Sequence, residues 1–407
     1  MNGARPWIAY VGPVAFPGGG AAARRILGNT KALVAAGYDV VIVSGQPPGR
    51  QGESFNVAPG IRCVSVDERD AEHLPKVLRY ARYALMGARS RRWLDTQPML
   101  PSAVVLYSGY TPYLLQFTSW ARRRGVALLF DAVEWYTAPN LAHFLLSPYL
   151  WNIELAMRVL IPRVDGVIAI SRTLEHFYAA VGMPVARLPP LFDPRDTVQS
   201  VFMPDPKKPL RLVYAGSPGR KDLVDPVISA VIDRDDGSGR LVLEIAGLSE
   251  AELCRREPIS TRDGALPPCI RAHGRLSHAE SLALVARADF TVFLRAVNRV
   301  STCGFPTKFV ESLAQGTPVI SNLTGDLANH LRDGETGLVC PAPTQTALEA
   351  TLDRALALDT QTRTALRDAA RAEAESAFGY GNYVGMLEEL LVKTVGNAND
   401  RTESDWR

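Results

Sequence analysis

The chain has 407 residues, room for two or three domains at about 100–200 residues each, which excludes a small disulfide-stapled module. Hydrophobic residues make up 47% and charged residues 21%, the balance of a folded globular protein and far from that of a disordered one. With 45 Lys+Arg against 42 Asp+Glu the formal charge is +3, so no chain-wide basic field argues for nucleic acid, and a charged partner must be met by a local patch.

The five cysteines, Cys63, Cys254, Cys269, Cys303 and Cys340, are odd in number and far apart, with no Cys-x-x-Cys pair and no neighbouring His at metal-ligand spacing. A reducing compartment and no structural zinc are expected. Met1 to Gly12 lacks the basic head, apolar run and cleavage site of a signal peptide, and no stretch approaches ~20 apolar residues. The expected location is cytoplasmic, with contact at most with the inner membrane surface.

Short apolar runs of strand type alternate with segments of helical length from end to end, the pattern of βαβ units and parallel sheets. The first half reads as strands at Trp7–Val11, Tyr38–Ser44, Ile61–Val66, Ala103–Tyr107, Val126–Phe130 and Gly166–Ile170, a doubly wound domain assigned to residues 1–195. Clustered prolines from Leu188 to Pro194 and a polar segment to Pro209 stop helix and sheet ladders alike, which places the interdomain linker there. The pattern restarts at Leu210–Ala215, Leu241–Ile245, Ile270–His273, Phe290–Leu294, Pro318–Ser321 and Gly337–Cys340, a second doubly wound domain assigned to residues 196–377. Ser277-x-x-Glu280 and Thr346-x-x-Glu349 have capping-box spacing and predict helix starts. Phe378–Val395 carries a stripe of Tyr380, Tyr383, Met386, Leu387, Leu390 and Leu391 that needs a partner surface, met if this helix crosses back to the first domain; 396–407 reads as a loose tail. The predicted fold class is α/β, two doubly wound Rossmann-like domains facing across a cleft, with ligands at the carboxyl ends of strands.

Four loops at such ends carry candidate chemistry. Gly18, Gly19 and Gly20 open the helix after the first strand, where backbone amides favour negative charge. The GxGxxG order, the acidic ribose ligand after the second strand and the Gly-Lys-Ser/Thr of a P-loop are all missing, which removes most support for NAD binding or ATP hydrolysis. Asp131, Glu134, Trp135 and Tyr136 follow the fifth strand, carboxylates able to bind sugar hydroxyls beside aromatic platforms, or else a strand cap and interfacial core. Arg220 and Lys221 follow Gly216 after the first strand of the second domain, where two cations can neutralise a diphosphate, although such a pair is also an ordinary solvated surface.

The fourth loop is the strongest local feature, Ser301-Thr-Cys-Gly-Phe-Pro-Thr-Lys-Phe-Val-Glu-Ser-Leu-Ala-Gln-Gly-Thr-Pro-Val-Ile320. Pro306 suits a first helical turn, so the amides of Gly304, Phe305, Thr307 and Lys308 are expected to form an anion-binding helix start, with Glu311 one turn later to take a ribose diol. Gln315-Gly316 is the expected helix exit.

These residues resemble the nucleotide-binding half of family-4 glycosyltransferases, which have the GT-B fold. The likeness rests on Phe305-Pro-Thr-Lys-x-x-Glu-Ser-Leu-Ala-x-Gly-Thr-Pro-Val-Ile320, supported by Val213-Tyr-Ala-Gly216, Gly274-Arg275, Ala288-Asp-Phe290 and Asp333-Gly-Glu-Thr-Gly-Leu338. In the first domain the glycine loop with Arg24-Arg25, Asp131-Ala-Val-Glu-Trp135 and Asp165-Gly-Val-Ile-Ala-Ile-Ser171 is similar to the acceptor halves of the same family. The resemblance implies a retaining transfer from a nucleotide sugar, a UDP-sugar first among donors, to an acceptor that it leaves unnamed, without a divalent metal or other cofactor. It gives Arg220 and Lys221 the diphosphate, Glu311 the ribose and Gly18–Gly20 a place near the phosphates. Where the family often has a second Glu contacting the donor sugar, this chain has Cys303. Glu134 is assigned to positioning donor or acceptor.

Three other readings compete. Asp233-Arg-Asp235 has the form of a metal-dependent transferase motif, but lies in a segment long enough for a helix. A nucleotide-sugar epimerase shares the architecture, and a lapsed nucleotide-binding module is motivated by Cys303. Residues 76–93 are basic, aromatic and amphipathic, suited to anionic lipid headgroups or to a solvated helix face. His143, Phe144, Tyr149 and Trp151 are candidates to line an acceptor site, or core. The remaining histidines form no hydrolase motif.

Overall fold

The computed structural model describes residues 5–18, 20–48, 53–68, 82–138, 140–197, 204–205, 207–219, 221–260 and 265–404. The chain divides into two compact units, Met1–Leu191 with Tyr380–Arg407, and Phe192–Gly379.

The first unit is built on one sheet. Strands β1 (Trp7–Gly12), β2 (Asp39–Ser44), β3 (Ser54–Ala58), β4 (Ile61–Ser65), β5 (Ala103–Tyr107), β6 (Ala127–Ala132), β7 (Gly166–Ala169) and β8 (Val185–Arg187) lie in the order β3-β4-β2-β1-β5-β6-β7-β8. All neighbours are parallel except β3, which pairs antiparallel with β4 at the sheet edge. The central strands β1, β5 and β6 are apolar apart from Asp131 and buried apart from the partly exposed Trp7, because helices cover both faces. The covering helices include α1 (Gly20–Ala35), α2 (Ala88–Asp95), α3 (Tyr110–Arg124), α4 (Leu141–Leu145), α5 (Pro148–Leu155) and α6 (Arg172–Ala180).

The second unit carries β9 (Leu210–Ala215), β10 (Leu241–Ala246), β11 (Ile270–Gly274), β12 (Phe290–Val292), β13 (Val319–Ser321) and β14 (Gly337–Val339). This sheet is parallel throughout, in the order β11-β10-β9-β12-β13-β14. Helices α7 (Val224–Asp235), α8 (Glu250–Cys254), α9 (Glu257–Ser260), α10 (His278–Ala286), α11 (Arg299–Cys303), α12 (Thr307–Ala314), α13 (Gln345–Ala357) and α14 (Thr360–Phe378) connect and flank the strands. Ser277 and Glu280 close the capping box at the start of α10. The helix after β14 starts two residues earlier than its spacing predicts: Thr344 accepts from the Ala347 amide, and Glu349 instead receives the Gln345 amide group. Asp233 and Asp235 lie within α7, and Asp235 is buried, accepting from the Leu241 amide.

The last helix, α15 (Val384–Ser404), belongs to the first unit. Leu387, Leu390, Leu391 and Ala398 join the core formed by Ile8, Val105, Leu129 and Ile168. Gly166 lets the helix close on β7, since a Cβ there would meet Thr394 Cγ2 at 2.9 Å and Leu390 Cδ1 at 3.1 Å. The reading of 396–407 as a loose tail is corrected as far as Ser404. Buried Thr394 and Ala398 extend the apolar stripe four and then four residues beyond Leu390, so helical packing continues past Gly396. Replacing Leu391, 1% exposed, by Ala is expected to cost the first unit about 2–5 kcal/mol, seen as a lower urea midpoint; an unchanged midpoint contradicts the docking.

Candidate functional site

In the second unit the loop after β9 is tied down on both sides. The Gly216 amide donates to the Ala246 carbonyl at 2.9 Å, and Leu223 donates to the Leu294 carbonyl at 2.8 Å. Gly216 has φ +141°, and a Cβ there would lie 3.2 Å from Lys308 Nζ, so glycine serves both the backbone angle and the close approach. The Lys308 ammonium pairs with Asp222 Oδ2 at 2.5 Å and sits 4.0 Å above the Tyr214 ring, while the Tyr214 hydroxyl donates to the same carboxylate at 2.8 Å. Arg295 approaches the other carboxylate oxygen at 3.7 Å. Burial pushes the Asp222 carboxyl up, but Lys308, Tyr214 and Arg295 outweigh it and hold it below its ordinary value. Lys221, partly buried, stands next to this cluster in sequence, and Arg220 lies outside the described residues.

Helix α12 starts where Pro306 stands as N-cap with extended backbone, and Gly316 at φ +65° ends it. The predicted anion-binding start is narrower than expected. The Gly304 amide is taken by the Val300 carbonyl at 3.0 Å, and Pro306 has no N–H. Thr307 and Lys308 remain as first-turn amides without an intrahelical acceptor by helix geometry. The Phe305 side chain is 6% exposed and packs against Phe309, His330 and Phe378, so it builds the core under the helix start. Cys303 is buried, and burial pushes its thiol up to about 11, leaving a neutral group where the family often has a carboxylate. Glu311 reaches the partly open side of the helix, where His278 Nε2 lies 3.0 Å from its Oε1.

In the first unit Gly18 and Gly20 stand at the start of α1 with open space around them, Gly20 at φ +62°; Gly19 lies outside the described residues. Asp131 is not presented to an acceptor, contrary to its sequence assignment. It is fully buried, paired to Arg25 through Nη2 at 2.6 Å and Nε at 3.0 Å, and also accepts from the Tyr10 hydroxyl and from Asn29 at 3.3 Å. Arg25 in turn donates to the Leu188 carbonyl at 2.9 Å. Trp135 likewise is core, 5% exposed, donating to Glu154 at 3.0 Å and packed edge-on against Phe177 with centroids 4.7 Å apart. Glu134 and Tyr136 are partly exposed, and the Tyr136 ring lies 6.3 Å from that of Tyr149. Burial, then the Glu134 carboxylate, pushes the Tyr136 hydroxyl well above its ordinary value. Glu134 and Tyr136 are thus the candidates of this loop that stay partly exposed, while Asp131 and Trp135 are buried in the core.

Sequence reasoning missed Asp222, Tyr214, Arg295 and His278. Asp222 was legible as the residue after Lys221 in a strand-end loop; the partners of Asp222 and Glu311 come from distant segments and leave no local signal. Segment 76–93 is described only from residue 82 onward.

Two outcomes follow from these geometries. Asp131→Ala strands the buried Arg25 and is expected to cost about 3–5 kcal/mol, measured by urea unfolding, whereas Glu134→Gln should leave the midpoint within about 1 kcal/mol. Because the folded Asp222 carboxyl lies below its unfolded value of 3.8, its contribution to stability is complete above that pH. It is lost as the pH falls through the folded value. A pH series of melting temperatures between neutrality and acid should therefore be flatter for Asp222→Asn than for wild type, and parallel curves would contradict the pairing.

The geometry agrees with comparisons to known proteins. Residues 20–190 match the model described as Glycosyl transferase 4-like domain, and residues 204–373 match Glycosyl transferases group 1. No curated protein sequence gives a significant match. Among solved structures, sucrose-phosphate synthase from Thermosynechococcus elongatus superposes with a TM-score of 0.69 at 17% identity, over 94% of this chain and 98% of that one. Anabaena Alr3699/HepE, solved in complex with UDP and glucose, gives 0.64 at 12% identity over 95% and 99%. WaaG, a glycosyltransferase involved in lipopolysaccharide biosynthesis, gives 0.65 at 16% identity over 94% and 99%. At these identities the structures establish the shared fold. With two glycosyltransferase models spanning both units and the motif residues in place, the chain belongs to the family-4-like glycosyltransferases of GT-B fold.

Proposed function

We propose that this glycosyltransferase moves a hexosyl group from a UDP-sugar to its acceptor with retention of anomeric configuration and without a divalent metal. The observation that carries the donor half is the start of α12: the Thr307 and Lys308 amides and, one turn on, Glu311, with the Gly216–Asp222 loop tied to the same helix through Lys308. Helix-start amides favour a diphosphate, and a carboxylate accepts two hydroxyl hydrogens of a ribose. The UDP and glucose in the Anabaena relative support the choice of donor class.

In this reading the glycosidic C–O bond of the donor breaks as charge develops on the leaving diphosphate. Lys221, Arg220 and the helix-start amides stabilise that charge. The acceptor hydroxyl attacks from the same face, and its proton passes to the leaving phosphate oxygen, so no protein nucleophile is needed. Glu134 orients a reactant through its carboxylate. Lys308 is already neutralised by Asp222, and its part is to hold the loop on the helix. The acceptor belongs to one of three classes, a lipid-linked intermediate, a polysaccharide intermediate or a small natural product.

Thermal unfolding with UDP, GDP, CDP, dTDP and ADP tests the donor half. At ~100 times the dissociation constant a ligand of the folded state adds about 2.7 kcal/mol. UDP should raise the melting temperature of wild type, in EDTA as well, and the rise should vanish in Lys221→Ala and Glu311→Ala proteins that remain folded. No stabilisation of wild type by any of the nucleotides would overturn the reading.

A further inference from the structure

A cavity of about 810 Å³ opens in the first unit, at the end of its sheet opposite to the loops assigned to the reaction. It gathers the first residues of β1, β2 and β4 and the segment before β5, whereas Gly18 and Glu134 follow the far ends of β1 and β6. At about 3.3 Å per residue, the six residues of β1 put roughly 20 Å between the two ends. The volume falls in the range of about 300–1,000 Å³ that small-molecule sites occupy.

Strand register assembles the floor of the cavity. Trp7 pairs with Asp39, Val41 pairs with Arg62, and Arg62 faces Asn56 across the antiparallel β3–β4 pair. Asp39 and Val41 are two residues apart, so all five side chains share one face of the sheet. The alternate residues Ile8, Val40 and Ile61 turn to the other face and join the core with Ile26 of α1. Trp7 is held in place twice: its indole N–H donates to the Met99 carbonyl at 3.2 Å, and the Trp93 ring meets it at right angles with centroids 6.4 Å apart. Gln97 donates through its amide nitrogen to the Trp93 carbonyl at 2.9 Å, which leaves its amide oxygen for a ligand. Arg5 is anchored on the Val34 carbonyl at 3.1 Å and lies 3.9 Å from Asp39. Asn56 and Arg62 are exposed, and among the described residues no side-chain hydrogen bond or ion pair engages them.

We infer that this cavity is a second saccharide-binding site, which holds a neutral sugar chain on the Trp7 indole away from the reacting groups. A pyranose ring has a flat C–H face that packs on an aromatic plane, and a rim of hydroxyls that both donate and accept hydrogen bonds. The cavity matches both, with a fixed indole, Val41 beside it, acceptors on Asp39 and Gln97, donors on Arg62, and donor and acceptor together on the Asn56 amide. A phosphate fits poorly, since of the three charged residues in the described lining Arg5 and Asp39 offset each other and Arg62 stands alone. An acyl chain would cover Asp39, Asn56 and Arg62 without giving them partners. The inference does not rest on the transferase chemistry.

Binding of the labelled full chain to immobilised neutral oligosaccharides of glucose, galactose or mannose tests it. Wild type should be retained on at least one of these series and be released by the same oligosaccharide in solution. Asn56→Ala/Arg62→Ala removes two hydrogen-bonding side chains and should lower the retained signal at limiting ligand by about tenfold. Both side chains are exposed, and an unchanged melting temperature checks that the variant folds. Glu134→Gln and Glu311→Ala should bind the same oligosaccharide as well as wild type does, which separates this cavity from the loop after β6 and from the donor site. Retention on none of the series overturns the inference, as does retention that Asn56→Ala/Arg62→Ala leaves unchanged. Retention lost in Glu134→Gln alone assigns the sugar to the loop after β6 and overturns it as well. UDP should stabilise the Asn56→Ala/Arg62→Ala protein as it does wild type, so failure of this cavity stays distinct from failure of the donor site.

Discussion

The pair between Lys308 and Asp222 is the constraint on which the donor region rests. Helix α12 has only eight residues, too short to hold its own first turn in water, and that turn carries the amides proposed to meet a diphosphate. A lysine in it reaches across to the loop after β9 and is neutralised there, with Tyr214 below and Arg295 on the far side of the carboxylate. Breaking one member leaves a buried charge unpaired, which is far more costly than the net worth of the pair. The helix start and the Gly216–Asp222 loop therefore keep a fixed mutual geometry. Gly216 belongs to the same device, since a Cβ there would crowd the ammonium at 3.2 Å.

A second buried pair does comparable work in the first unit. Arg25 on α1 and Asp131 at the end of β6 satisfy each other, with Tyr10 and Asn29 taking up remaining lone pairs. Arg25 also closes on the Leu188 carbonyl, so the segment that leaves the first unit is bound to the helix that follows the glycine loop. Two carboxylates three residues apart thus have different fates. Asp131 points into the sheet and is consumed by structure, while Glu134, past the strand end, stays partly exposed among tyrosines.

The sheets were legible in the sequence because their central strands are buried on both faces and read as continuous apolar runs, as Val104-Val-Leu106 and Val126-Ala-Leu-Leu-Phe130 do. The two strands missed, Ser54–Ala58 and Val185–Arg187, are edge strands, one alternating and polar, the other three residues long. The donor-side motif was legible because helix capping and turn chemistry are local: Gly316 and the Ser277 cap stand where spacing puts them, and Pro306 stands just ahead of the first turn, as its N-cap. What a strand-end side chain touches is not local. Whether Asp131 and Trp135 face a ligand or the core depends on Arg25, Phe177 and Glu154, and nothing in the pentapeptide that they bound distinguishes the cases. The same holds for Phe305, whose motif position suggests a ligand contact and whose neighbours make it core.

His278 adds a feature to the proposed donor site, because it stands 3.0 Å from the carboxylate assigned to ribose. A ribose diol and the imidazole address the same oxygens, so nucleotide binding is expected to move the His278 side chain. The most direct test is a crystal structure of the protein soaked with UDP. The account predicts the β-phosphate within hydrogen-bond distance of the Thr307 and Lys308 amides, both ribose hydroxyls on Glu311, His278 turned away, and Lys308 still paired with Asp222. UDP bound elsewhere on the chain, or a ribose that leaves Glu311 with His278, would contradict it.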